Sequence, residues 1–279
     1  MENARAKGGR NLKPSVVCSI GSTDPTAGAG LFLDAAVYAR MRDITGVYVV
    51  AGITAQNSRR VGRVLKAPSA AIVSQLDTIL EQVRPDAIRV GLIPGRQACI
   101  AVADRLSRMK NRPPVVVDPV IVASSGGRLQ SNSAIEGMRR LLRVADIATP
   151  NAAEAAALAS MRVVDVADAQ RAGVYLAKRY GCAVLVTGGH LRTGARIVDV
   201  LAHRDGRVER FAAARLKADA RGTGCMLAAS LSVALARGAD LSGAVRFARR
   251  FVRAALVSAR RLGSGRRQFD AAGVGRTAV

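Results

Sequence analysis

The chain contains no tryptophan, and aromatic residues make up only 3% of it. A core with so few rings has to be assembled from Val, Leu, Ile and Ala. That suits the strands of a parallel sheet, which are buried on both faces. Histidine is nearly absent, with two residues, and the four cysteines (Cys18, Cys99, Cys182 and Cys225) include no Cys-x-x-Cys pair. Such a supply does not make a zinc site. Four cysteines in a domain of this size read as reduced thiols, mostly buried, rather than as a disulfide framework. Long apolar runs are missing too. A membrane-spanning helix needs about 20 apolar residues, and the longest candidate here, Met226 to Ala236, has eleven. The start of the chain, Met1 to Lys13, is polar and basic and lacks an apolar signal segment. A soluble, cytoplasmic protein with no membrane partner is expected.

Acidic residues are the last scarcity. There are 20 Asp and Glu against 43 Lys and Arg, a formal net charge of +23. A protein this basic attracts polyanions, so nucleic acid has to be weighed as a partner. The arginines, however, are spread along the chain, and their denser pairs, such as Arg249-Arg250, Arg260-Arg261 and Arg266-Arg267, fall near its end. No RNP-type aromatic motif, zinc finger or basic zipper accompanies them. A solvated Arg-rich surface is the simpler reading, and dedicated nucleic-acid binding is not expected.

What is present is a length of 279 residues and 49% hydrophobic composition, enough for one large domain with a substantial core. Residues 1–13 read as a flexible tail, 14–262 as a single domain and 263–279 as a loose, Gly- and Arg-rich tail. Apolar, β-branched runs mark strands at Val16–Ile20, Val47–Thr54, Ala87–Ile93, Pro114–Ile121, 145–149 and Cys182–Thr187. Helical patterns fall at 29–42, from Pro68 to about Val83, at 96–109, 132–143, 151–159, 166–180, 224–236 and 241–260. Residues 196–213 resemble a hairpin around Asp205-Gly206. Strand and helix alternate through most of the chain, which predicts an α/β fold: a central, mostly parallel sheet with helices on both faces.

In such a sheet, ligands bind beyond the carboxyl ends of the strands. Polar groups recur at those ends: Gly21-Ser-Thr-Asp24, Gln56-Asn57, Asp118, Asn151 with Glu154, and Gly188-Gly-His190. Turns favour the same residue types, so each signal alone also fits a plain strand end. Gly222-Thr223-Gly224-Cys225 opens an apolar helix. Its glycines let the backbone approach a ligand, and the exposed N–H groups with the helix dipole suit an anion, although the tetrapeptide alone reads more simply as a glycine turn before a helix. Cys225 falls in the first turn, where the helix N-terminus and the neighbouring Arg221 would lower a thiol pKa. A thiolate there would serve as a general base, and a small buried thiol filling space is the plainer alternative. Asn151 and Glu154 have capping-box spacing, and together with Asp118 they offer the oxygen ligands that suit Mg2+. Asp34 and Gln56, polar groups beside apolar segments, have the chemistry to hydrogen-bond a heteroaromatic ring, and taken alone each reads more simply as a solvated side chain or a turn residue. No Gly-x-x-x-x-Gly-Lys-Ser/Thr run occurs, so a P-loop is not the phosphate device.

Taken in order, these pieces resemble the hydroxymethylpyrimidine/phosphomethylpyrimidine kinases of thiamine synthesis, within the ribokinase-like three-layer α/β/α fold and near the pyridoxal kinases. The resemblance runs from about Val16 to about Ala255. It rests on Gly21-Ser-Thr-Asp-Pro-Thr-Ala-Gly-Ala-Gly30, Ile53-Thr-Ala-Gln-Asn57, Arg89-Val-Gly-Leu-Ile93, Val116-Val-Asp-Pro-Val120, Ala148-Thr-Pro-Asn151 with Glu154, Thr187-Gly-Gly-His-Leu191 and Gly222-Thr-Gly-Cys225. It implies phosphoryl transfer from ATP, with Mg2+, to the 5-hydroxymethyl group of 4-amino-5-hydroxymethyl-2-methylpyrimidine or to its monophosphate. It also implies a site. Gln56 holds the aminopyrimidine, and Gly21, Asp34, Leu92 and Val120 shape its pocket. Asn151, Thr187 and Arg221 attend ATP, while Asp118 and Glu154 lie near the metal. Gly222, Thr223, Gly224 and Cys225 form the anion hole, with Cys225 as the base. Relatives of this group often pair, so a homodimer is among the expected states. The chain departs from the group's usual pattern at Ala36, Ser124 and Thr187, where lysines are common, and at Arg221, where histidine is common. Two other readings stand beside this one: a pyridoxal-type vitamin kinase of the same fold, and a non-catalytic homologue that binds a ligand or nucleic acid.

Overall fold

The structure, a computed structural model, describes residues 13–121, 132–218 and 220–270. Ser124 lies outside them. In chain order the elements are β1 (Ser15–Thr23), α1 (Gly30–Tyr38), β2 (Ile44–Gln56), β3 (Val61–Lys66), α2 (Ser69–Gln82), β4 (Ala87–Val90), α3 (Arg96–Ser107), β5 (Val115–Val117), α4 (Asn132–Leu142), β6 (Ile147–Ala148), α5 (Ala152–Ala159), α6 (Val166–Tyr180), β7 (Ala183–Val186), β8 (Arg196–Ala202), β9 (Val208–Ala214), α7 (Thr223–Ala236), α8 (Leu241–Ser258), β10 (Arg260–Arg261) and β11 (Arg267–Gln268).

The first nine strands form one sheet in the order β3-β2-β1-β4-β5-β6-β7-β8-β9. Its centre, from β2 to β7, is parallel, and β3, β8 and β9 add antiparallel edges. The central strands β4, β5 and β7 are buried at every position, as expected of continuous Val-, Ile- and Leu-rich runs covered on both faces. Helices α2 to α6 cover one face, through residues such as Leu76, Val102, Leu141, Leu158 and Leu176. On the other, α1, α7 and α8 contribute Leu33, Leu231, Val245 and Phe251. The result is the three-layer α/β/α arrangement that the alternation predicts. The local stops are conventional. Asp165 caps α6 by accepting the Asp168 amide, and Gly181 ends it in the left-handed region with φ 71°.

Two segments differ from the sequence expectation. Val61–Lys66 is an edge strand; its exposed, Arg63- and Lys66-bearing pattern lacks the apolar signature of a buried strand, and it is recruited by backbone pairing to β2. The loose tail expected from residue 263 onward is, through residue 270, folded onto the domain. β10 and β11 pair with one another, the Arg221 amide donates to the Arg267 carbonyl, and Phe269 is buried against Phe251. One aromatic anchor and backbone hydrogen bonds hold a segment whose composition reads as linker.

From β1 the chain moves outward to β2 and β3, then crosses back to β4 on the other side of β1. Ligand crevices form at such a switch point, beyond the carboxyl ends of the strands.

Candidate active site

A cleft of about 430 Å³ opens there. At one end, β1, β2 and the segments after β4 and β5 present Ser22, Thr23, Thr54, Gln56, Leu92 and Val120. At the other, β8, β9, the segment after β9 and α8 supply an apolar slot of Ile197, Ala213, Leu216, Val252 and Leu256, bordered by Arg215 and Arg253. Between the two ends stand Asp118, Asn151, Glu154, Thr187 and the run Gly222 to Cys225.

Helix α7 begins after Gly222, which has φ 76° and supplies no side-chain cap. The first N–H groups of α7 therefore meet the cleft without a protein acceptor from the cap position, the arrangement that binds anions. Helix α5 is the opposite case. Asn151 Oδ1 accepts the Glu154 amide at 3.0 Å, and Glu154 Oε2 accepts the Asn151 amide at 2.9 Å, a complete capping box. Glu154 Oε1 also accepts the Ile121 amide at 3.3 Å. Burial, reinforced by the nearby Asp118 charge, pushes the Glu154 carboxyl up to about 8 despite these amides.

Arg89 lies at the floor of the cleft and is almost fully buried. Its Nη2 donates to Asp118 Oδ2 at 2.7 Å, and its Nη1 stands 3.3 Å from Asp34 Oδ2. In the sequence Arg89 stands only as the first residue of the run Arg89-Val-Gly-Leu-Ile93. A charged residue inside an otherwise apolar strand was the available signal, because such a group is buried only with partners. Asp34 and Gly21, expected in the substrate wall, lie behind it. Asp34 is wholly buried against Arg89, and a Cβ on Gly21 would meet the Arg89 guanidinium at 3.5 Å.

Two electrostatic expectations are corrected. At Cys225 the shift runs opposite to the expected one: burial first, and the Asp118 charge second, push its thiol up to about 12. Arg221 does not act on it. Arg221 is among the cleft-lining residues, but its guanidinium is committed to the loop after β1, with Nη2 on Asp24 Oδ2 at 3.0 Å and Nη1 on Thr26 Oγ1 at 3.0 Å. No strand-end motif signals the contribution of α8 to the cleft. Arg249, Val252, Arg253 and Leu256 recur at helical spacing on the face turned to the cleft.

Among the described residues no group of three or more His, Cys, Asp or Glu side chains is gathered as a metal cage. Asp118 and Glu154 are two buried carboxyl groups on the same cavity. That donor set fits Mg2+, which is commonly held by one or two carboxylates together with water and substrate phosphates.

The sequence model of the family described as phosphomethylpyrimidine kinase matches residues 24–270. The chain belongs to the phosphomethylpyrimidine kinase family. Among curated members and relatives, it is 34% identical over 257 residues to the hydroxymethylpyrimidine/phosphomethylpyrimidine kinase of Rhizobium meliloti, covering 90% of this chain and 95% of that one. It is 36% identical over 256 residues to the enzyme of the same name from Salmonella typhimurium, covering 89% and 93%. Solved structures give the same fold. A phosphomethylpyrimidine kinase from Clostridium difficile aligns with a TM-score of 0.75 at 26% identity, over 86% of this chain and 98% of that one. An ADP complex of Bacillus subtilis pyridoxal kinase aligns with a TM-score of 0.84 at 25% identity, over 93% and 98%. Both are ribokinase-like α/β/α proteins, as this family member is. No helix among its described residues is long and apolar enough to cross a membrane.

Proposed function

We propose that the chain is an ATP-dependent phosphotransferase acting on 4-amino-5-hydroxymethyl-2-methylpyrimidine and/or its monophosphate, in thiamine biosynthesis. The observation that carries this reading is the placement of the uncapped α7 N-terminus, Gly222 to Cys225, between a polar acceptor end and an apolar slot in one cleft. The slot of Ile197, Ala213, Leu216, Val252 and Leu256 suits the adenine ring. Gln56, Thr54, Leu92 and Val120 suit a small aminopyrimidine, with the Gln56 amide facing its ring nitrogen and amine.

In the transfer, the acceptor oxygen forms a bond to the γ-phosphorus as the bond to the β-γ bridging oxygen breaks. ADP leaves, and where the acceptor is the hydroxymethyl group its hydroxyl proton is released. Phosphoryl transfer passes through a loose transition state, so positioning and charge stabilisation outweigh proton abstraction. The N–H groups of Thr223, Gly224 and Cys225 meet the charge that builds on the transferred group. Cys225 and Asp118 line the same cleft, and the Asp118 charge acts on the thiol; this pair takes up the hydroxyl proton late. Asp118 and Glu154 would hold Mg2+, which when bound neutralises phosphate charge. Asn151 and Thr187, joined by an isolated bridge beside them, face the phosphate path.

A coupled ADP-release assay with the hydroxymethylpyrimidine, its monophosphate and pyridoxal tests the reading. Turnover of one or both pyrimidines is expected. Turnover of pyridoxal alone would favour the vitamin-kinase alternative, which the high structural similarity to a pyridoxal kinase keeps in view. No ADP release with any of the three would sink kinase function and leave the non-catalytic reading. The homodimer belongs to the same proposal and is read directly by sedimentation.

A further inference from the structure

The wall of the acceptor end is continued by the loop from Asp24 to Gly30, of which Ala29 and Gly30 line the cleft. This loop is strained. Ala27 has φ 52°, in the left-handed region where glycine is the usual occupant. Such a conformation persists only where its surroundings impose it. Here they do. Asp24 Oδ1 accepts both the Thr26 amide and the Thr26 hydroxyl at 2.9 Å, and the Asp24 carbonyl accepts the Ala27 amide at 2.9 Å.

Outside the loop, two segments distant in sequence close on it. Arg221 bridges Asp24 and Thr26 with both terminal nitrogens, and the Arg221 and Asp24 side chains are 3% and 0% exposed. Gln268 Nε2 donates to the Thr26 carbonyl at 2.8 Å, and the Arg267 carbonyl accepts the Arg221 amide at 2.9 Å. Packing leaves no slack. A Cβ at Gly28 would stand 2.8 Å from Arg221 Nη1 and 2.9 Å from Gln268 Oε1.

We propose that Arg221 and Gln268 are positioning residues that clamp the Asp24–Gly30 loop into its strained form and so preorganise the acceptor end of the cleft. This rests on the reading that the pyrimidine binds there. Neither residue need touch either substrate. The guanidinium is suited to the task because its planar fork spans a carboxylate and a hydroxyl at once, which an ammonium does not.

The experiment is calorimetric titration of the wild type and of Arg221→Ala, Arg221→Lys, Gln268→Ala and Arg221→Ala/Ala27→Gly. Each receives 4-amino-5-hydroxymethyl-2-methylpyrimidine and, separately, ADP. For Arg221→Ala the pyrimidine Kd is expected to rise about tenfold, the scale set by holding one residue in a strained backbone region. Its ADP Kd should stay within about twofold, a small fraction of that tenfold step. Arg221→Lys should recover little of the loss, and Gln268→Ala should show a smaller loss of the same kind. Adding Ala27→Gly to Arg221→Ala should restore much of the affinity, because glycine adopts that conformation without being held. A structural role without positioning would give no such rescue. Unchanged pyrimidine affinity in Arg221→Ala would overturn the clamp, as would a loss confined to ADP, which would make Arg221 a nucleotide ligand. If Arg221→Ala does not fold, Gln268→Ala alone with its Ala27→Gly rescue decides the matter. Wild-type protein that binds neither the pyrimidine nor its monophosphate would sink the functional reading instead.

Discussion

Arg89 stands between two carboxylates, 2.7 Å from Asp118 and 3.3 Å from Asp34, with all three side chains almost excluded from water. Its guanidinium ties the floor of the cleft to α1 behind it. Removing one member of a buried charge set leaves the others uncompensated, a loss of about 3–5 kcal/mol. Arg89→Met is expected to lower stability on that scale in urea denaturation. Arg89→Met combined with Asp34→Asn should recover part of the loss. Equal stability of wild type and Arg89→Met would show that the pairing is energetically idle.

The same triad predicts a pH dependence. Burial holds the Asp34 carboxyl at about 6, against the ordinary 3.8. Between those values the folded protein keeps a proton that the unfolded chain has released, so this group's contribution to stability falls as pH rises. Asp34→Asn removes the titration. The stability of Asp34→Asn relative to wild type should therefore climb from pH 4 to pH 6 and level off above. A difference that is flat across that window would contradict the assignment.

Cys225 can be separated from the nucleotide site. Cys225→Ala should reduce kcat by about 10²–10⁴-fold, the range for loss of a proton-transfer group, while ADP affinity by calorimetry is retained. A thiol pushed up to about 12 is also a poor nucleophile at neutral pH. Iodoacetamide at pH 7.5 should leave Cys225 unmodified in the ligand-free protein over times that fully alkylate glutathione, as read by peptide mass. Rapid labelling of Cys225 would restore the activated thiolate.

Gly222 meets two restrictions at once. Its φ is 76°, and a Cβ there would lie 2.2 Å from the Gly28 carbonyl oxygen. Gly222→Ala should lose about 2 kcal/mol or more of stability, since strain and overpacking add, and most of its turnover. Gly224 has open space around its missing Cβ, so Gly224→Ala should fold almost normally. Comparing the two melting temperatures checks both statements.

Much of the fold is legible in the sequence because buried parallel strands leave continuous apolar runs, as at Val115–Val117 and Ala183–Val186. The edge strand Val61–Lys66 leaves none, since its pairing uses backbone groups that every residue carries. The cleft was legible where motifs end strands, as at Asp118, or begin helices, as at Gly222. Partnerships between distant segments were not. The resemblance implies an ATP contact at Arg221, and the side-chain partners it has here, Asp24 and Thr26, lie 197 and 195 positions away. Helix position argued for a low Cys225 pKa, but burial and Asp118, which no local pattern displays, reverse the direction.

Those separations also bear on how the protein acquires its activity. The Thr26–Gln268 bond spans 242 positions, and contacts that close so much chain form slowly. The sheet and helices have nearer partners to organise them. During refolding from denaturant, helical circular dichroism should therefore return before pyrimidine binding does, leaving an interval in which the scaffold is built but blind to its acceptor.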